Sequence, residues 1–168
     1  MGDRGNVSLR AQLVLPEQRQ LYDYWLDRSG GRQMPDRGDI RPSDFPRLLP
    51  HVSLIDVLDQ PKRFRVRLAG TRLRDIYDRE TTGLFVEDFE WGDKRDYWVA
   101  AYERLIVEGK PSQGIVRGPR LYKEHLVQYW LRLPLSVGNG RVQMILCYDA
   151  FLPALEIGAA GAHCSPIR

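Results

Sequence analysis

The cleanest pattern in the chain is RFRVRL at 63–68, where Phe64, Val66 and Leu68 share one parity and Arg63, Arg65 and Arg67 the other. A period of two marks a strand with one covered face. The run HVSLIDVL at 51–58 is dense in β-branched and apolar residues. It predicts a partner strand, and the Gln60-Pro61 break makes the pair a hairpin. Helical spacing appears twice. Leu21, Tyr22, Trp25 and Leu26 follow Pro16 and stop at Gly30-Gly31, which predicts an amphipathic helix over 16–29. Trp98, Ala101, Tyr102 and Leu105 lie at i, i+3, i+4 and i+7. They predict a longer helix with Asp93 as its N-cap and Gly109 as its stop.

The remaining segments are shorter. Four prolines between 32 and 50 exclude a long helix there and leave room for a helical turn over 42–49. Residues 71–78 read as a short helix, and 79–92 as a loop with a further helical turn around Thr82-Gly83. Strands are predicted at Ile115-Val116, at 125–136 and at 141–151. Asn139-Gly140 should close the last two in a tight primed turn. The expected fold is α+β: a five-stranded antiparallel sheet, a helical insert, one long connecting helix packed on the inner face, and the N-terminal amphipathic helix. The expected division is 1–31 for the arm and first helix, 32–152 for the domain, and 153–168 for a flexible tail.

Composition narrows the function classes. The 168 residues suit one domain with its own core. Net charge is +3 from 25 basic and 22 acidic residues that interleave closely. No concentrated basic face suggests a nucleic-acid binder. Cys147 and Cys164 have no metal or redox spacing, and Cys147 sits in an apolar run. No stretch has the length of a membrane span. The opening MGDRGN has neither a signal-peptide core nor the hydroxyl residue of a myristoylation motif. A cytoplasmic protein is expected.

Three stretches then carry a family resemblance: YDYWLDRSGGRQMPDRGDIRP, FPRLLPHVSLIDV and FRVRLAGTRLRDIY, the last followed by Thr82-Gly83. Their order, from about Leu21 to Phe151, resembles a divergent bacterial PAS family of short, often stand-alone proteins. The resemblance implies a PAS fold, a sensing or docking role, and often a homodimer. It does not name a ligand, because a fold hosts many functions. Flavin-binding relatives carry an Asn-Cys-Arg sequence in the helical insert. This chain has no cysteine before Cys147, so flavin-cysteinyl photochemistry is expected to be absent. Haem is not expected either: residues 93–109 contain no histidine, and His51 and His125 open strands.

No metal-ligand spacing, hydrolase elbow or phosphate loop occurs, and no catalytic residue is assigned. An enzyme is the least favoured reading. The candidate ligand pocket lies between sheet and insert, lined by Phe64, Val66, Leu68, Leu73, Ile76, Tyr77, Trp98, Tyr102 and Leu105, with Met144 and Leu146 closing it. The same side chains would serve equally as plain core. The Tyr77 and Tyr102 hydroxyls are the polar groups that would favour a cavity. The candidate interface is the outer sheet face, where Arg63, Arg65 and Arg67 would flank Trp130 and Arg132, and where Tyr22 and Trp25 of the first helix would settle. The expected role is a sensory module that binds a ligand or a protein and acts in trans; the alternative is a ligand-free structural adaptor.

Overall fold

The computed structural model describes residues 9–120 and 122–154. The expectations for the first eight residues and for the tail from 155 onward, with His163 and Cys164, lie outside the described residues. Among the described residues five strands form: β1 Val52–Leu58, β2 Arg63–Ala69, β3 Ser112–Arg117, β4 Leu126–Leu135 and β5 Met144–Pro153. They make one antiparallel sheet in the order β2-β1-β5-β4-β3. The helices are α1 Pro16–Ser29, α2 Thr71–Tyr77 and α3 Arg95–Glu108, with 3-10 turns at Val86–Asp88 and Gly92–Lys94 in the insert.

Both long helices end where a glycine enters the left-handed region, Gly30 at φ 56° and Gly109 at φ 60°. The start of α3 differs from expectation. Asp93 lies within the Gly92–Lys94 turn, makes no side-chain cap, and pairs with Lys94 at 3.4 Å. The Lys94 N–H already donates to the Trp91 carbonyl, so the turn runs straight into the helix. The Asn139-Gly140 turn also differs. β5 begins at Met144, and the connection from β4 is a wider loop with Gly138 and Gly140 at positive φ. Ser136 Oγ accepts from both glycine N–H groups, which holds the loop open.

The sheet separates two apolar clusters. On the outer face α1 places Leu21, Tyr22 and Trp25 against Leu131, Leu133, Leu135, Met144, Leu146 and Tyr148. The Trp25 indole N–H donates to the Pro134 carbonyl at 2.9 Å. Burying each of these α1 side chains contributes about 1.5–3 kcal/mol. On the inner face Ile55, Val57, Phe64, Val66, Ile145 and Trp130 meet α3 through Trp98, Tyr102 and Leu105.

The faces of the strands correct the sequence reading at several positions. Met144 and Leu146 lie on the outer face under α1, away from the pocket. Trp130 and Arg132 face inward, away from α1. The reason is that β4 is buried along nearly its whole length on both sides, so alternation in polarity does not report the solvent side. Leu68 is 50% exposed. Between Leu54 and Ile55 the register with β2 shifts, so that Ile55 pairs with Val66 but Leu54 with Leu68. The extra residue, Arg67, is a bulge that turns Leu68 out of the row begun by Phe64 and Val66. Arg65 and Arg67 both reach Asp56, at 3.1 and 3.5 Å, while Arg63 pairs with Asp88 at 2.7 Å and covers the Phe85 ring. None of the three arginines meets α1 in the way the sequence suggested; their partners lie on β1 and in the insert.

Candidate functional site

Two adjoining chambers lie between the inner sheet face and the helices. The inner one, of about 30 Å³, is lined by Ser53, Ile55, Val66, Leu73, Tyr77, Thr81, Val86, Phe89, Trp91, Tyr102, Arg132 and Asp149. The outer one, of about 110 Å³, is lined by Lys62, Phe64, Val86, Glu87, Trp91, Trp98, Val99, Tyr102 and Glu103. Val86, Trp91 and Tyr102 line both and form the partition. Of the residues singled out in the sequence, Phe64, Val66, Leu73, Tyr77, Trp98 and Tyr102 reach these chambers. Leu105 is buried core that lines neither, and Ile76 is half-buried and lines neither.

The polar heart of the inner chamber is a pair from neighbouring strands, Arg132 on β4 and Asp149 on β5. Arg132 Nη2 donates to Asp149 Oδ1 at 2.9 Å, with both side chains almost fully buried. Gln128 Nε2 donates to the same oxygen at 2.7 Å. Arg132 also donates to the Tyr102 hydroxyl and to the carbonyls of Leu131 and Tyr148. The guanidinium sits 5.2–5.8 Å from the ring centroids of Trp98, Tyr102 and Trp130. Such an enclosure suits arginine, whose planar, weakly hydrated group accepts both ion pairing and ring contact.

This enclosure sets the protonation states. Burial by itself pulls the Arg132 guanidinium down, but Asp149, Cys147 and Tyr102 together outweigh burial and hold the group above its ordinary value. Burial pushes the Tyr102 hydroxyl up, and burial with Asp149 nearby does the same for Tyr77. Burial likewise pushes the Cys147 thiol up, to about 11. The Tyr77 and Tyr102 hydroxyls and the Cys147 thiol are therefore neutral at ordinary pH. None of these is a poised nucleophile.

Sequence reasoning missed Ser53, Ile55, Thr81, Phe89 and Asp149 of the inner chamber, Lys62, Glu87, Val99 and Glu103 of the outer one, and Val86 and Trp91 between them, and it placed Arg132 on the wrong face. Signals were present. Arg132 and Asp149 are single charges inside otherwise apolar strands, and such charges are seldom buried without a partner. Phe89 and Trp91 stand close together in the segment read as mixed loop. They join a run of rings, Tyr77–Phe89–Trp91–Trp98–Trp130, with neighbouring centroids 5.2–5.4 Å apart. Among the described residues no cluster of three or more His, Cys, Asp or Glu could hold a metal ion, and no helix is long and apolar enough to cross a membrane.

A five-stranded antiparallel sheet with its chamber under a helical insert is the arrangement the family resemblance implied, and the PAS-domain family model matches residues 14–147. The chain belongs to the PAS-domain family. Solved structures similar to this PAS domain are light-oxygen-voltage proteins. The LOV protein of Rhodobacter sphaeroides is 17% identical, with a TM-score of 0.50 over 73% of this chain and 76% of that one. A light-oxygen-voltage domain studied with a flavin analogue is 10% identical, with a TM-score of 0.52 over 70% and 88%. An RNA-binding light-oxygen-voltage receptor is 17% identical, with a TM-score of 0.50 over 95% of this chain and 53% of that one. At these identities the likeness is one of fold. Comparison with curated proteins returns no match.

These neighbours overturn the exclusion of flavin-cysteinyl photochemistry drawn from the sequence. That exclusion rested on the missing upstream cysteine, yet the structures sharing this fold are light-oxygen-voltage proteins, one of them studied with a flavin analogue. As arranged here, a multi-ring group would need Val86, Trp91 and Tyr102 to part and join the two chambers.

Proposed function

We propose that this PAS domain is a sensory module that binds a small molecule in the paired chambers and signals to a protein partner or a second copy, without catalysis of its own. The observation that carries the reading is the convergence of Arg132, Asp149, Tyr77 and Tyr102 on the inner chamber, beside a larger chamber open to apolar contact. A few fixed polar groups in an apolar cavity are the ordinary make-up of a ligand site. A route outward exists. Arg132 holds the carbonyls of Leu131 and Tyr148, whose side chains stand on the far side of the sheet against α1. A ligand that draws Arg132 from Asp149 would disturb the seat of α1.

Native mass spectrometry of freshly purified protein tests this reading. A stoichiometric bound mass, a flavin included, is the expected result, lost or weakened in Arg132→Met. A second reading, a ligand-free adaptor, is favoured by the size of the inner chamber, which as closed holds only about one or two waters. Protein with no bound mass, and with no thermal shift on addition of any small molecule, would select the adaptor.

A further inference from the structure

The two edges of the sheet are unlike. The insert closes the β2 edge: the Val66 N–H donates to the Leu84 carbonyl at 2.9 Å, the Val66 carbonyl accepts the Gly83 N–H at 2.7 Å, and the Phe64 N–H donates to Glu87 at 2.7 Å. At the β3 edge the Gly118 N–H donates to the Leu126 carbonyl at 2.9 Å, and the register then sets Val116 against Gln128, Gly114 against Trp130 and Ser112 against Arg132. Backbone bonds between two antiparallel strands fall on alternate residues. Gln113, Ile115 and Arg117 therefore turn their N–H and C=O groups away from β4, and these groups have no partner among the described residues. Open edges are ordinarily guarded by proline or charge. SQGIVR has no proline and a single charge, at its last position. Ile115, opposite in parity to the inward Val116, is 49% exposed.

We infer that the β3 edge is the contact between two copies of this chain, β3 against β3, antiparallel about a two-fold axis at Ile115. The inference rests on the second-copy part of the reading above, not on its ligand, and names the surface. The sequence selects this register. With the axis at Ile115, that residue exchanges both backbone bonds with its twin, and Gln113 exchanges both with Arg117 of the partner subunit. An axis at Gln113 would set Ile115 against Pro111, and an axis at Arg117 would set it against Pro119; neither proline has an N–H to give. An axis at Arg117 would also face two arginines. An axis between neighbouring residues would set open groups against groups already bonded to β4. Only Ile115, midway between the two prolines, joins every open group, with Ile115 on its twin and the Gln113 amide beside a guanidinium. The contact also reaches the site. The Trp130 ring lies on Gly114, where an added Cβ would stand 2.6 Å from it, and its N–H donates to the Tyr97 hydroxyl at 2.9 Å. Arg132 sits 5.5 Å from the centroid of that ring. One side chain thus separates the buried ion pair from the edge.

Sedimentation velocity and native mass spectrometry of the full chain over a concentration series test the contact, with amide exchange as the local readout. Wild type should show a reversible monomer–dimer equilibrium, with the Ile115 N–H protected in the dimer and exchanging in the monomer. Ile115→Pro removes the outward N–H and leaves the bonds to β4 in place, so it should weaken the dimer by about tenfold or more while the monomer stays folded. Ile115→Lys keeps the N–H but sets two like charges face to face, and should do the same. Gln113→Glu places a carboxylate opposite Arg117 of the partner subunit on both sides of the axis. It should tighten the dimer about threefold or more at low salt, a gain that a misfolded variant does not give. A single-chain mass at every concentration up to about 0.5 mM would overturn the inference. So would a dimer indifferent to Ile115→Pro and Ile115→Lys, no gain from Gln113→Glu, or an Ile115 N–H already protected in the monomer, the mark of an edge covered by the chain itself. A monomer carrying a bound small molecule sinks the β3 contact and leaves ligand binding standing, whereas a monomer without bound mass sinks both.

Discussion

Removing the positive partner of the buried ion pair should cost more than neutralising the negative one. In Arg132→Met the Asp149 carboxylate keeps, among the described residues, only Gln128 Nε2 as a side-chain donor, at 2.7 Å, in a site where it is 3% exposed. Breaking a buried pair from one side costs about 3–5 kcal/mol. In Asp149→Asn the amide oxygen still accepts from Arg132 and Gln128. The guanidinium keeps the Tyr102 hydroxyl, the Leu131 and Tyr148 carbonyls and three aromatic rings. Its loss should be about 1–3 kcal/mol, the size of one charge-assisted bond. The double variant should be less damaging than the sum of the two by more than ~1 kcal/mol, because the second change removes a group the first left stranded. Urea denaturation measures all four proteins. With a slope of about 1–3 kcal/mol per molar, Arg132→Met should lower the midpoint by roughly 2 M. Asp149→Asn costing as much as Arg132→Met, or strictly additive effects, would refute the pairing argument.

Trp25→Ala should destabilise by about 3–5 kcal/mol, since it empties a fully buried site on the sheet and strips the donor from the Pro134 carbonyl; hydrogen exchange should show the loss first in α1. Gly70→Ala should cost about 1–3 kcal/mol in a thermal or urea melt, because an added Cβ would run into the carbonyl oxygens of Leu49 and Pro50, which are backbone and cannot swing aside. Alkaline pH should unfold the protein. Burial raises the folded-state values of Cys147, from 9.0 to about 11, and of Tyr77 and Tyr102, from 10.0 upward. Their contribution is complete below pH 9; above it the unfolded chain ionises first, and stability falls as pH rises toward 11. Circular dichroism across pH 8–11 checks this, and a flat profile would contradict it.

The sequence by itself determined the elements and much of their order. Trp98, Tyr102 and Leu105 at helical spacing, Gly30 and Gly109 as stops, and the β-rich runs at 51–58 and 125–136 are local signals, and local sterics and periodicity suffice to read them. It also placed six chamber residues, because the inner face of β2 and one stripe each of α2 and α3 carry the apolar side chains that turn toward the insert. What lay beyond it was the sidedness of strands covered on both faces. Leu131 and Trp130 are both buried, so polarity along β4 does not say which meets α1 and which meets α3. One bulge at Arg67 reverses Leu68, and nothing in RFRVRL announces it. The ion pair that makes the site, Arg132 with Asp149, is 17 residues apart in sequence and adjacent only through the β4–β5 register. Which charge neutralises which is set by strand pairing, a long-range choice that only the tertiary structure decides.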